Sequence, residues 1–474
     1  MSARNPESEP YAGANVLVLT VAVFGLFLFT GRTLADTDTL WHIAAGNWIL
    51  AHHAVPHTDP FAFSTTGLPW VPHEWLAEIG FALAYRFAGW SGVVLLAGAA
   101  GAAAFAMMAR ALERWVAPLP AYVLLMLTLL TLLPTMLARP HVLALPVIMF
   151  WTVRLVIARE AGRAPPLPLA GLMAVWANLH GGYMSGLALA AALGFEAVMQ
   201  AGPERARVMR DWGLFLLLAL LAAMVTPHGP EGLLFPLRMM ALDNKRGIDE
   251  WQSPNFQVFE PMEIILLGAL LLGLTGRVRL PWFRVLLFLG LMHSALVHTR
   301  FQLQLAVVGF LLLAPALGPH LWAAGFRARA RNKQAERLVL GALLVVLATA
   351  RLAQPLAWAE GPSTPDTALA QVPAALRARP VLNEYHLGGF LIFNGVAPFI
   401  DSRADLYGDA FLNDYIAIVQ LREDRIRAAL TRHNIVWSMV GASSPLAGWF
   451  DAQAEWRRLY ADAHVVVHVR RDTL

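Results

Sequence analysis

Residues 36–49 read D-T-D-T-L-W-H-I-A-A-G-N-W-I, and they begin where the apolar run 14–31 ends. A bilayer crossing needs about 20 apolar residues, so the stretch stands where the chain leaves a membrane. A helix starting here takes Asp36 as its N-cap, and Asp38 in the first turn also favours the positive end of the helix dipole. Asp38 precedes His42 by four residues and shares its face with Trp41, Ala45, Trp48 and Ile49. The expected helix lies along the membrane surface, tryptophans at the interface, with Asp38 and His42 turned inward. A carboxylate on an apolar face is costly unless it is paired or used, which makes Asp38 a candidate for chemistry.

Outward from this stretch the chain reads as an α-helical polytopic membrane protein. It is 57% hydrophobic and 14% charged, with mean hydropathy +0.53, where a soluble domain carries about a quarter charged residues. Basic residues fall in short clusters between apolar runs, so the net charge of +4 is no nucleic-acid signature. Cysteine is absent, which excludes disulfides, thiolate metal sites and cysteine nucleophiles. Eleven spans are expected, near 14–31, 91–109, 119–137, 141–158, 167–179, 183–201, 212–226, 262–276, 282–298, 301–318 and 338–353. The first lacks a cleavage signature and reads as a retained span. With a cytoplasmic N-terminus, seventeen basic residues fall on the cytoplasmic side and seven opposite. The positive-inside rule then puts loops 32–90 and 226–261, and the tail, outside the cytoplasm. For a bacterial inner membrane that side is the periplasm.

Residues 1–353 therefore form a transmembrane domain and 354–474 a small periplasmic α/β domain. In the tail RPVLNE, APFID, NIVWSMV and HVVVHV read as strands, and 409–430 and 445–459 as helices. Asp59, before a proline, reads as a turn former, while His73 and Glu74 open a second interfacial segment. Polar clusters mark the outer ends of spans: Arg139-Pro140-His141, Asn178 to Gly182 with His180, Thr226 to Gly229, Lys245-Arg246, and His298 to Arg300. Singly these are interfacial residues; together they read as the rim of a polar cavity able to hold a lipid phosphate. Gly181-Gly182 lets backbone approach a ligand. Asp401, Arg403 and Asp405 follow a predicted strand, where α/β domains bind ligands, although Asp–Arg pairing that fixes a loop explains them equally well.

D-T-D-T-L-W-H-I-A-A-G-N-W-I-L, T-D-P-F-A-F-S, P-W-V-P-H-E-W-L, W-A-N-L-H-G-G and F-I-D-S-R-A-D-L-Y-G resemble a bacterial group within the GT-C glycosyltransferases. Those membrane enzymes use polyprenyl-phosphate sugars and include protein O-mannosyltransferases and aminoarabinose transferases. The resemblance covers nearly the whole chain. It implies inverting sugar transfer to an envelope acceptor (lipid, glycan or protein), with a first-loop aspartate, Asp38 or Asp36, as base. The adjacent Asp-Glu pair of the O-mannosyltransferase branch is missing here. Arg139, His180 and Arg300 are the candidates for stabilising the departing phosphate. His42, His73, Glu74, His141, Lys245 and Arg246 complete the expected substrate contacts. No cofactor is implied beyond a divalent cation able to share the phosphate charge, and no ligand set demands one. A lipid-linked-sugar flippase and an inactive envelope scaffold are the competing readings.

Overall fold

The computed structural model describes residues 14–241, 251–276, 278, 280–321 and 333–473. Helices α1 (Ala14–Phe29), α2 (Asp38–His52), α3 (Trp75–Trp115), α4 (Pro118–Leu132) and α5 (Pro140–Glu160) come first. Then follow α6 (Leu172–Leu179), α7 (Tyr183–Gln200), α8 (Arg205–Ala223), α9 (Pro230–Ala241), α10 (Pro261–Leu274) and α11 (Trp282–Val297). A π turn over Leu305–Gly309 separates α12 (Gln302–Gln304) from α13 (Phe310–Leu321), and α14 is Lys333–Leu352. Each of the eleven expected spans is thus helical in its described residues. Four of these helical segments are long and apolar enough to cross a membrane: Trp75–Trp115, Pro118–Thr135, Pro140–Glu160 and Thr299–His320. The protein is an integral membrane protein with a mostly helical fold.

Local chemistry sets the boundaries. Prolines 118, 140 and 261 open α4, α5 and α10, where a missing N–H costs nothing and φ is already helical. Glu260 and Glu263 add a reciprocal capping box to α10. Helix α3 breaks at Ala88 and Gly89, where Gly89 has φ 57, just before the expected span 91–109. The chain divides into two compact units. One comprises 1–33, 94–233 and 245–354; the other comprises 34–93, 234–244 and 355–474. The expected tail domain therefore shares its unit with the first loop.

In the first unit the buried Arg284 and Glu196 are paired. Arg284 binds Glu160 and also Glu196 (3.3 Å), which accepts from Arg159 as well (3.0 Å). Pairing of this kind is what allows ionisable groups inside an apolar bundle.

The second unit holds a four-stranded sheet of order β1-β2-β4-β3. In the tail the elements run α15 (Asp366–Gln371), α16 (Ala374–Arg377), β1 (Val381–Asn383), α17 (Gly388–Phe393), α18 (Ala404–Val419) and α19 (Glu423–Arg432). They continue with β2 (Trp437–Gly441), α20 (Pro445–Asp451), β3 (Trp456–Ala461) and β4 (Val465–Arg470). Strands β1 and β2 are parallel, and the other pairs are antiparallel. APFID forms no strand. Proline lacks the donor a ladder needs, and the Asn383 side chain takes the partner strand's place, accepting from the Phe399 N–H and donating to the Ile400 carbonyl (2.7 Å each). The region 445–459 is also corrected: its helix stops at Asp451, and Trp456 begins β3. Leu40 of α2 sits in the tail's own apolar core with Val381, Phe390, Trp437 and Val467. The first loop is thereby part of this unit's interior.

Candidate functional site

The N-cap position of α2 is taken by Thr37, not by Asp36 as expected, and its side chain makes no capping bond. Asp36 Oδ1 accepts the Asp38 N–H at 2.9 Å, so Asp36 serves the orphan donors of the helix start. Asp38 occupies the first helical position and is half-buried. His42, one turn on, is fully buried. Two close approaches hold the helix. A methyl on Gly46 would stand 2.1 Å from the Glu78 carbonyl oxygen of α3, and one on Gly389 of α17 would stand 2.9 Å from the Thr37 oxygen. Trp41, expected at the membrane interface, is instead buried and packs beside Gly389. Gly46→Ala should therefore push α2 off α3 and lower stability by about 1–3 kcal/mol, the usual cost of overpacking. The thermal midpoint of the purified protein measures this, and an unchanged midpoint would mean the crossing is loose.

Around His42 the unit assembles alternating imidazoles and carboxylates. His42 Nδ1 lies 3.6 Å from Glu78 Oε1, and its Nε2 lies 3.9 Å from Glu74 Oε2. Glu74 Oε1 is in turn 3.6 Å from His73 Nε2. Trp41 lies against the His42 ring at a centroid distance of 3.7 Å.

A second cluster centres on Arg403. Its Nε and Nη2 donate to the two oxygens of Asp401 (2.8 and 2.6 Å), and Nη1 donates to Asp59 Oδ1 (2.7 Å). Asp59 also forms the expected turn, accepting from the N–H groups of Phe61 and Ala62 and the hydroxyl of Thr65. Tyr407, which sequence reading missed, donates its hydroxyl to Asp401 Oδ2 (2.8 Å) and accepts from the Asp401 N–H (3.0 Å). Trp70 and Phe61 present their rings to the guanidinium at 4.7 and 5.3 Å. Asp401 and Arg403, expected as substrate contacts, are closed to solvent and spent on each other and on Asp59. All three guanidinium nitrogens of Arg403 already donate inside the protein. Asp405, in the first turn of α18, keeps part of its surface open. Burial, offset by Arg403, pushes its carboxyl up to about 6. No spacing in the sequence joins Asp59 to Arg403; only the D-S-R-A-D pattern signals a local ion pair.

The first unit places the other expected contacts. His141 and His180 are neighbours, ring centroids 6.3 Å apart, with His141 Nε2 2.7 Å from the Thr135 carbonyl. His180 Nδ1 accepts the Gly182 N–H (3.0 Å), and a methyl on Gly182 would stand 2.9 Å from that nitrogen. That glycine makes room for the histidine. Arg139 is the N-cap residue of α5. Arg300 stacks on the Trp251 ring at 4.2 Å, and His298 Nδ1 lies 2.7 Å from the Trp251 carbonyl. A small crevice is lined by Phe27, Phe105, Leu132, Met136, His141 and Leu303 among others. Lys245 and Arg246 lie outside the described residues. Among the described residues no group of three or more His, Asp or Glu is arranged to hold a metal ion.

Two solved proteins share this arrangement of helices with a small sheet-containing tail. The chain is similar to the oligosaccharyltransferase AglB from Archaeoglobus fulgidus, solved with an inhibitory peptide and a dolichol-phosphate. The TM-score is 0.55 and the identity 11%, over 91% of this chain and 69% of that one. ArnT from Cupriavidus metallidurans, bound to undecaprenyl phosphate, matches with TM-score 0.53 and 12% identity, over 96% of this chain and 97% of that one. No protein-family model matches the sequence, and no curated protein matches it.

Proposed function

We propose that the protein is an inverting glycosyltransferase that moves a sugar from a polyprenyl-phosphate carrier to an envelope acceptor. The observation that carries this reading is the half-buried carboxylate of Asp38 at the first position of α2, two residues after Asp36, whose side chain accepts the Asp38 N–H. Its setting is a fold whose solved neighbours hold dolichol-phosphate and undecaprenyl phosphate. Both neighbours are transferases, which favours chemistry over flipping or scaffolding.

Asp38 acts as general base on the acceptor hydroxyl. The new C–O bond forms at the anomeric carbon while the bond to phosphate breaks, its electron pair leaving with the polyprenyl phosphate. Arg139, Arg300 and His180 are the cationic residues assigned to that leaving phosphate. The acceptor is a lipid, glycan or protein hydroxyl. The enzyme sits in the bacterial inner membrane, N-terminus cytoplasmic and tail periplasmic, as the distribution of basic residues supports.

The test is purified protein incubated with a panel of polyprenyl-phosphate sugars and membrane fractions. Release of polyprenyl phosphate with sugar on an acceptor is the expected result. Movement of the intact sugar-lipid without cleavage would replace this reading with a transporter.

A further inference from the structure

Helix α11 ends at Val297, and a single tight turn, Thr299–Phe301, follows it. The segment from Trp251 to Ser253 is fastened here at three points. Ser253 donates its hydroxyl to the Val297 carbonyl (3.1 Å), one of the orphan acceptors of the helix end. The Thr299 N–H donates to the Gln252 carbonyl (3.0 Å), and His298 Nδ1 lies 2.7 Å from the Trp251 carbonyl. A carbonyl only accepts, so Nδ1 carries the proton of that bond. On this frame the Trp251 ring lies against the Arg300 guanidinium, 4.2 Å from ring centroid to central carbon. The indole is buried, while Arg300 is half-buried.

We propose that Trp251 is a positioning residue that sets the plane of the Arg300 guanidinium for the phosphate of the lipid carrier. The proposal rests on the assignment of Arg300 to that phosphate above. A guanidinium carries its N–H donors in one plane and none on its faces. A ring on one face therefore takes no in-plane donor, yet it attracts the cation and fixes the plane. A carboxylate partner does the opposite. In the Arg403 cluster Asp401 and Asp59 take donors from all three nitrogens. Phosphate oxygens accept two parallel N–H bonds from such a fork, so the tilt of the plane decides how well it fits.

The surroundings suit this task. A long side chain loses rotamer freedom when a ligand immobilises it, and a stack formed beforehand removes much of that loss. The indole can act as a stop only if its own place is fixed. The bonds of residues 251–253 to His298, Thr299 and Val297 fix it, and the His298 ring meets the indole edge-on with centroids 5.3 Å apart. Sequence reading took Arg300 as a phosphate contact and gave Trp251 no part, because nothing local in the chain joins the two.

Binding of radiolabelled undecaprenyl phosphate to the purified full-length protein tests this, with undecaprenol, the same lipid without phosphate, as the comparison. Trp251→Leu should weaken undecaprenyl phosphate about tenfold, the scale of a partly desolvated cation–π contact, and leave undecaprenol unchanged. Trp251→Phe keeps a weaker ring and should lose about two- to threefold. In an Arg300→Ala background, itself weakened for the phosphate, Trp251→Leu should add nothing. A tryptophan that only fills space would weaken both lipids alike, or weaken the phosphate equally with and without Arg300. Either result, or wild-type binding by Trp251→Leu, overturns the positioning role. Should Trp251→Leu not fold, Trp251→Phe decides by the same comparisons. Wild-type binding by Arg300→Ala overturns the phosphate assignment of Arg300, and the proposal falls with it. Binding as expected, with no sugar release in the screen above, overturns the transferase reading alone.

Discussion

Asp38→Asn should lower sugar transfer by about 10²–10⁴-fold, the usual contribution of a general base, while leaving expression and melting unchanged. Asparagine keeps the size of the side chain and much of its hydrogen bonding but cannot accept the acceptor's proton. Asp36→Asn should be far milder. The Asp36 side chain accepts the Asp38 N–H, and an asparagine carbonyl does this about as well. Polyprenyl-phosphate release per mole of folded protein measures both. Equal, small losses in the two variants would reduce the pair to helix caps. Loss confined to Asp36→Asn would move the base two residues upstream.

Arg403→Leu should destabilise the protein by about 3–5 kcal/mol, the range found when one partner of a buried ion pair is removed. The guanidinium is closed to solvent and satisfies two carboxylates that are equally closed, Asp59 and Asp401. Without it two buried negative charges face each other, with Glu78 and Asp405 nearby. Because Asp59 belongs to the first loop, protease should cut that loop sooner in the variant. Arg403→Lys retains the charge but not the two-pronged contact with Asp401, so its loss should be smaller. Denaturation of the purified variants ranks them. Wild-type stability in Arg403→Leu would show that the pair only fills space.

Much of the architecture was legible in the chain because it depends on short windows. Apolar runs near bilayer length must hydrogen-bond internally, so each of the eleven became a helix in its described residues. The Asp36–Asp38 contact is a bond across two positions, and three of the four strand candidates in the tail carry apolar runs that pair. The same local reading failed where a distant group intervened. APFID is strand-like in composition, yet Asn383 occupies its hydrogen-bonding edge. The segment beginning at Trp456 reads as helix until β4 arrives to pair with it.

The sequence by itself determined the helical, membrane character of the chain and the contact between the two aspartates at the start of α2. Only the tertiary structure decided which polar residues belong together. Asp59 and Arg403 are 344 positions apart, and neither carries a local mark of the other. His42, Glu74 and Glu78 meet because glycine at position 46 lets two backbones touch. Hydropathy and capping are written within one or two turns of chain. A buried charge pair or a backbone contact forms only when folding has closed the loop between its halves.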